Sequence, residues 1–460
     1  VESLAAQVNG QALIDEELLD EVTGLCEWPK AVMGSFDDGF LEVPPEVLIE
    51  TMQKHQKYFA LRSSDGQLLP RFITISNIES LDEGQVRSGN ERVIRPRFSD
   101  AAFFWTQDLK RPLEAYAPRL KHVVFQKKLG SLAEKSSRVS QISRYLAGLL
   151  GLDEELAARA AHLAKCDLMT QMIFEFGSLQ GIMGRYYAQR SGEDPCLCAA
   201  MEEQYLPRHA GDRLPESGCG QVLSIADKLD TLVGIFAIGE RPSGVKDPYA
   251  LRRASIGLLR ILIETPIDLD LREILDFAAE ELRERVEAKQ AAEEVFQYVM
   301  ERLKGYYHDK QIGSDIVDAV LSIGVTKPSD IDARVFAVQA YLGLPEAASL
   351  TAANKRIRNI LRKSGEVAPE FVDPRYLVEG TEKKFAKRLI ELQDVVACRL
   401  DARDYEGALA VLASLRGDVD AFFNDIMVMV DEPKLRSSRL GLLRSMEKLF
   451  LGVADISRLQ

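Results

Sequence analysis

The sequence predicts a multidomain, mostly α protein with an N-terminal α/β portion, and three observations carry that reading. At 460 residues the chain exceeds the size at which a single hydrophobic core stops growing, so two to four domains are expected. From Glu134 onward apolar residues recur at helical spacing, first as Val139, Ile142, Leu146 and Leu149, then as Leu156, Ala160 and Leu163. Strand-like runs, by contrast, fall within residues 1–120.

Taken in order, KYFALR and RFITISNI are β-branched and aromatic runs joined by SSDGQLLP, whose Asp65-Gly66 favours a hairpin turn. The stretch VRSGNERVIRPRFSDAAFFWTQDLKRP then sets Arg87, Arg92, Arg95, Arg97, Lys110 and Arg111 beside Phe98, Phe103, Phe104 and Trp105. Interleaved guanidinium and aromatic groups can grip phosphates and stack on unpaired bases. Aromatics on a helix more often form core, so FFW is read as packing, with Ser99 or Asp100 as the N-cap that starts its helix. Arg92 and Arg95 remain candidate RNA contacts.

EKSSRV opens the next helix. Beyond it, Asp167 lies about 20° from Leu156 and about 40° from Leu163 on an ideal helix, which sets an acid on an apolar stripe. A carboxylate there needs a partner, because a buried unpaired charge is expensive. Lys135 is the expected partner; a local bend that lets Asp167 cap or reach solvent is the alternative. Gly181 and Gly184 in QGIMGRYY lack phosphate-loop spacing and are read as permitting close packing. The loop-like GERPSGVKDPYA leads into the helical LRRASIGLLRILIE, where Arg252 and Arg253 are candidate phosphate contacts or ordinary surface charge.

Asp268 to Glu294 is acidic and free of proline and glycine, which predicts a long solvated helix or connector. KPSD, GLPEAAS and SGEVAPEFVDP punctuate the approach to a last helical block. In it, TAANKRIRNILRKS carries Lys355, Arg356, Arg358, Arg362 and Lys363 and no acid, with Ile357, Ile360 and Leu361 as an apolar stripe. Such a face suits a phosphate backbone, with salt-sensitive affinity; a solvated surface helix is the bland alternative.

Composition narrows the classes further. With 46% hydrophobic and 28% charged residues, the chain has the make-up of an ordinary globular protein. A formal net charge of −13 argues against a generally polyanion-coated surface, so any nucleic-acid contact rests on local basic patches. The six cysteines have no CxxC pairing, which argues against structural zinc or a disulfide framework and makes a reducing cytoplasm the simpler setting. No apolar run is long enough to span a bilayer. His55, His122, His162, His209 and His308 are read as surface or packing residues. The chain begins VESLAAQ, without a methionine, and is taken as a piece of a longer protein.

Two resemblances sharpen this reading. The order EKSSRV, KCDL and SIADKLDTL is similar to the metal-dependent HD phosphohydrolases, whose pattern is a His three residues before Arg-Val, a His-Asp pair and a later Asp. Lys135 stands where the first His belongs and Cys166 where the second does, so that of the pattern only Asp167 and Asp227 remain. An ammonium there puts a fixed positive charge where an ion would sit and cannot act as a ligand while protonated. The expectation is a degenerate HD site with no catalytic metal; a phosphohydrolase with altered ligands is the alternative.

The longer resemblance runs through essentially the whole chain. LQGIMGRYYA, GNERVIRPRFSDAAFFWTQDL, FQKKLGSLAEKSSRV and SIADKLDTLVGIFAIGERPSGVKDPYALRRAS resemble the β subunit of the bacterial heterotetrameric glycyl-tRNA synthetase. ANKRIRNIL and AFFNDIMVMVDEPKLRSSRLGLL are similar to the helical anticodon-binding domain of arginyl-tRNA synthetases. The resemblance implies four segments: 1–120, an α/β portion from an N-terminally truncated half; 121–262, a degenerate HD-type helical domain; 263–348, a helical connector; and 349–460, an anticodon-binding domain. It also implies a non-catalytic subunit that positions tRNAGly at its anticodon and acceptor arms. Glycine, ATP and Mg would be handled by a separate α subunit, leaving no cofactor, DNA or membrane partner for this chain. The residues implied for tRNA are Lys355, Arg356, Arg358, Arg362, Arg252, Arg253, Arg92 and Arg95.

Overall fold

The computed structural model describes every residue except 366–368, 370, 371 and 373, and at 374 the backbone alone. The SGEVAPEFVDP punctuation therefore lies largely outside the described residues. The chain folds as two compact units, Val1–Asp227 and Lys228–Gln460. Their boundary falls within the helix Gly218–Ala237, inside the segment 121–262.

In the first unit four antiparallel strands form a small sheet: β1 Gly10–Ala12, β2 Lys30–Ser35, β3 Phe59–Ser63 and β4 Leu68–Ser76, in the order β1-β3-β4-β2. The hairpin read from Asp65-Gly66 joins β3 to β4. Gly66 has φ +82 and donates its N–H to the Ser63 carbonyl at 3.0 Å, a backbone conformation that glycine adopts without strain. Phe59, Leu61 and Ile73 pack on Leu18 and Val22 of the helix Glu16–Leu25, which buries one face of the sheet.

A single helix, Glu83–Asp108, then crosses the unit. It begins at Asp82, whose side chain accepts from the Gln85 amide at 3.2 Å, and not at Ser99 or Asp100 as expected. Ser99 instead bonds back to the Arg95 carbonyl at 3.0 Å. Pro96 inside the helix cannot donate to the carbonyl four residues back, that of Arg92; Arg92 is exposed, so water can take the bond. The aromatics divide: Phe98 and Trp105 are buried, while Phe103 is 55% exposed, so FFW is only partly packing.

The last residue of this helix, Asp108, is 2% exposed and gathers distant chain. Its carboxylate accepts from the amides of Gln171 and Met172, both at 3.0 Å, and from the Tyr187 hydroxyl at 3.0 Å. The helix Leu132–Leu150 follows, started by a reciprocal capping box between Ser131 and Glu134, and Glu154–Leu163 packs beside it. That second helix ends at Leu163. Asp167 sits in the separate 3₁₀ turn Cys166–Met169, not on one helix with Leu156 and Leu163, yet it is buried all the same.

In the second unit the helix Leu251–Glu264 starts where the sequence placed it. The acidic stretch is not a solvated connector. It folds into Leu271–Glu281 and the start of Lys289–Asp309, which bury Ile274, Leu275, Ala278, Val295 and Val299 against each other and their neighbours. Charge lies on the outer face, and the apolar stripe decides the fold. The C-terminal bundle comprises Ala347–Ser364, Gly380–Asp401, Tyr405–Ala413, Arg416–Asp425 and Pro433–Leu451. At its centre Arg439 donates through Nε to Glu382 Oε2 at 2.6 Å, with their side chains 6% and 0% exposed.

Candidate nucleic-acid interface and buried charge cluster

The four HD-like positions all lie in the first unit, but their pairing differs from expectation. Lys135 does not neutralise Asp167. Its ammonium stands 3.4 Å from Asp227 Oδ1 and donates to the Asp227 carbonyl at 3.3 Å. Lys165, a residue the sequence reading passed over, stands 3.4 Å from the same carboxylate oxygen and 4.3 Å above the centre of the Tyr205 ring. Lys135 and Lys165 are both buried.

Asp167 is met on one oxygen by backbone instead. The Gly181 amide donates to Oδ2 at 2.6 Å, whereas Oδ1 has no hydrogen-bond partner. Burial pushes this carboxyl up to about 6, against the opposing pull of the Gly181 amide and the nearby Lys165 charge. Gly181 has φ +81, and a Cβ there would come within 2.7 Å of the Met201 carbonyl and the Tyr205 ring. A Cβ on Gly184 would lie 3.1 Å from Asp167 Oδ2. Both glycines thus serve close packing around the acid.

These residues do not fit a divalent ion. Such an ion needs converging anionic or neutral donors, and Asp227 already faces two ammonium groups. Burial, helped by the Asp167 charge, pushes the Cys166 thiol up to about 12, so it is no thiolate ligand, and its Sγ lies 3.7 Å from the His162 carbonyl. Among the described residues no three His, Cys, Asp or Glu side chains come together as a metal set. All five histidines are exposed.

The basic helix of the second unit is Ala347–Ser364. Its core side is Leu350, Ala353, Asn354 and Ile357; Lys355, Arg356, Arg358, Arg362 and Lys363 are exposed. At 100° per residue those five cations and Asn359 span an arc of about 160°. Ile360 is not in the core with Ile357. With Arg356, Asn359, Lys363, Ser364 and Met429 it lines a surface cleft of about 470 Å³.

The cations differ in what holds them. Arg356 stacks on Phe423, 4.2 Å from the ring centre, and Arg362 donates to Asn359 Oδ1 at 3.1 Å. Arg358 is tied to the fold through an ion pair with Asp455 and a 3.1 Å bond to Ser457 Oγ. Arg252 is half-buried and donates to the Gly244 carbonyl at 2.5 Å, which locks the loop before its helix, while Arg253 is exposed. Arg92 and Arg95 are exposed, three residues apart on the helix Glu83–Asp108.

Comparison with known proteins fits both ends of this geometry. Residues 350–455, which hold the basic helix and the Glu382–Arg439 pair, match the DALR anticodon binding domain. Residues 1–322 match the family described as glycyl-tRNA synthetase beta subunit. Together the two matches define a class, the aminoacyl-tRNA synthetase subunits that carry an anticodon-binding domain. Over its whole length the chain is 50% identical to the glycine–tRNA ligase beta subunit of Pseudomonas aeruginosa (strain UCBPP-PA14), covering 100% of this chain and 67% of that protein. It is 48% identical to that of Stutzerimonas stutzeri (strain A1501), with 100% and 67% covered, and 49% identical to that of Chromohalobacter salexigens, with 99% and 66% covered. The chain belongs to the glycyl-tRNA synthetase beta subunit family, and it spans about two thirds of the length of these relatives.

Proposed function

We propose that this chain is the tRNA-recognition part of a glycine–tRNA ligase: it binds tRNAGly and positions it, and a separate alpha subunit attaches glycine with ATP and Mg. In this reading Lys135, Cys166, Asp167 and Asp227 are a lapsed HD centre with no catalytic role, and the work is done in the cytoplasm. Among the described residues no helix is long and apolar enough to cross a membrane. The single observation that carries the reading is the arc of exposed cations on Ala347–Ser364 within the segment that matches an anticodon-binding domain.

The gain from such a subunit is positional. A tRNA held by its anticodon loop and its acceptor arm presents its 3′ end to an activated amino acid on another chain, which turns a bimolecular encounter into an oriented one. Lys355, Arg356 and Arg362 would supply the phosphate contacts near the anticodon, and Arg253, Arg92 and Arg95 are further candidates. Arg358 and Arg252 would act through the local structure they hold. The phosphohydrolase alternative has no support in the charge arrangement at Asp227.

A mobility-shift titration of tRNAGly over a salt series tests this. The triple variant Lys355→Gln, Arg356→Gln, Arg362→Gln should bind more weakly, and its log K against log salt slope should shrink by about 2 to 3, since each phosphate contact contributes about 0.7 to 0.9. Unchanged affinity and slope would replace a tRNA reader with a scaffold that serves only assembly. Arg358→Gln is the control: it should lower stability modestly, by removing one of the two guanidinium partners of Asp455, the other being Arg458, and leave the slope alone.

A further inference from the structure

The cluster that does not fit a metal contains an unexplained set of polar atoms. Tyr205 Oη, Arg208 Nη2, Gln204 Oε1 and Asp167 Oδ1 are buried with no hydrogen-bond partner. Native interiors rarely leave such groups unpaired, so four of them from one neighbourhood call for an occupant. The neighbourhood is one place: Tyr205 lies beneath the Lys165 ammonium, and its hydroxyl feels the charges of Asp167, Asp227 and Arg208. Lys165 makes no hydrogen bond among the described residues, its 3.4 Å approach to Asp227 being longer than a charge-assisted bond. The Asp227 side chain is 21% exposed, so the cluster is open to solvent on that side.

The chemistry of the unmatched groups selects the occupant. Arg208 and Tyr205 donate, as does the Lys165 ammonium beside them, while Gln204 Oε1 and an ionised Asp167 Oδ1 accept, so the occupant must offer acceptors to the first set and a hydroxyl to the second. A cation is opposed by Lys165 and Arg208. A group that accepts from cationic donors and still carries an O–H of its own is a protonated tetrahedral oxyanion, of which hydrogenphosphate is the type. Asp227 and Asp167 do oppose an anion, but the ammonium groups of Lys135 and Lys165 flank Asp227, and the Lys165 charge acts on Asp167 as well.

The geometry points to a phosphate-binding site formed by Lys165, Tyr205 and Arg208, in the place where related folds would hold a metal ion. Its ligand is a phosphate group, either free or on an RNA strand. The site involves none of the cations of the proposed tRNA face, so its failure leaves that reading standing, and the reverse holds as well.

Calorimetric titration of the full-length protein with inorganic phosphate, at ionic strength held constant with sodium chloride, tests it. Wild type should show saturable one-site binding. Tyr205→Phe removes only the unpartnered hydroxyl; it should fold normally and bind phosphate about three- to tenfold more weakly. Arg208→Gln should weaken binding at least about tenfold. Displacement of phosphate by a 5′-phosphorylated RNA oligonucleotide but not by its 5′-hydroxyl form assigns the site to a terminal phosphate. Displacement by both assigns it to the backbone, and by neither, to free phosphate. Absence of saturable binding in wild type, or binding unchanged in both variants, overturns the site.

Discussion

Asp167 in the first unit and Glu382 in the second are both buried carboxylates, and the two are handled in opposite ways. Glu382 in the second unit meets a partner at every turn: Arg439 through Nε, the Glu379 amide at 2.9 Å and the Val378 amide. Arg439 in turn donates to the Met427 carbonyl at 2.8 Å. Burial alone would raise this carboxyl, but the guanidinium and the two amides outweigh it and hold it below the usual glutamate range. Asp167 in the first unit has the Gly181 amide at 2.6 Å on one oxygen, with lesser pulls from Lys165 and the Gly184 and Leu168 amides, and no hydrogen-bond partner on the other oxygen, and burial wins. The difference teaches that burial by itself does not set the state of an acid; the number and charge of the donors aimed at it do. A saturated pair specifies a bundle, whereas an unsaturated one leaves capacity for something else.

The comparison breaks most visibly at Arg439. Arg439→Met should cost about 3–5 kcal/mol in urea unfolding, because Glu382 is then a buried charge without its cation. Adding Glu382→Gln to that variant should return part of the loss. If the single variant costs no more than a surface change, the pair is not what organises the bundle.

Acidity separates the two sites by sign. Asp167 titrates near 6 when folded and near 3.8 when unfolded, so the folded state holds the extra proton between those values. Its contribution is fully present below about pH 4 and lost as pH rises through about 6, a change of about 3 kcal/mol. Asp167→Asn should flatten that part of the stability profile while still accepting from the Gly181 amide. Glu382, held low, behaves in reverse: its stabilisation is present above the unfolded value of 4.5 and lost as pH falls through its folded value. Glu382→Gln should therefore remove an acid-side loss. Profiles that move the same way in both variants would undo the contrast.

Smaller effects sharpen it. Gly181→Ala forces a side chain into a left-handed backbone and against the Met201 carbonyl, and should cost about 1–3 kcal/mol by thermal melting. Tyr205→Phe in the phosphate-free protein should stay within about 0.5 kcal/mol of wild type, because the hydroxyl it removes has no partner to lose.

Much of the scaffold was legible because its signals are local. Asp65-Gly66 sits in the turn that it needs, Ser131 and Glu134 cap their helix within three residues, and Leu251 opens its helix after a proline-rich loop. The failures share a cause as well. Ser99 looked like a start because serine caps helices, but Asp82 had already begun that one and the proline fell where water could stand in for its bond. The acidic stretch looked solvated because its charges outnumber its apolar residues, although the latter sit at the spacing that buries them. The burial of Asp167 could be read from an apolar neighbourhood; its partner could not. Lys165 is two residues away in sequence, and only the turn Cys166–Met169 brings it over Tyr205 and toward Asp227. Glu382 and Arg439, 57 residues apart, leave no periodic trace at all.

Asp108 carries a consequence for the order of assembly during synthesis. Three of its bonds reach across 63, 64 and 79 residues, so the two amide bonds wait until the ribosome has released the chain through Met172 and the last waits for Tyr187. Closing loops of that length costs entropy before any contact returns it. The small sheet and the long helix can form early, but the buried aspartate at the helix end must wait, in water, for its amides to arrive. The first unit therefore locks late and from its middle, and a newborn chain arrested before Gln171 should hold that helix end open to proteases.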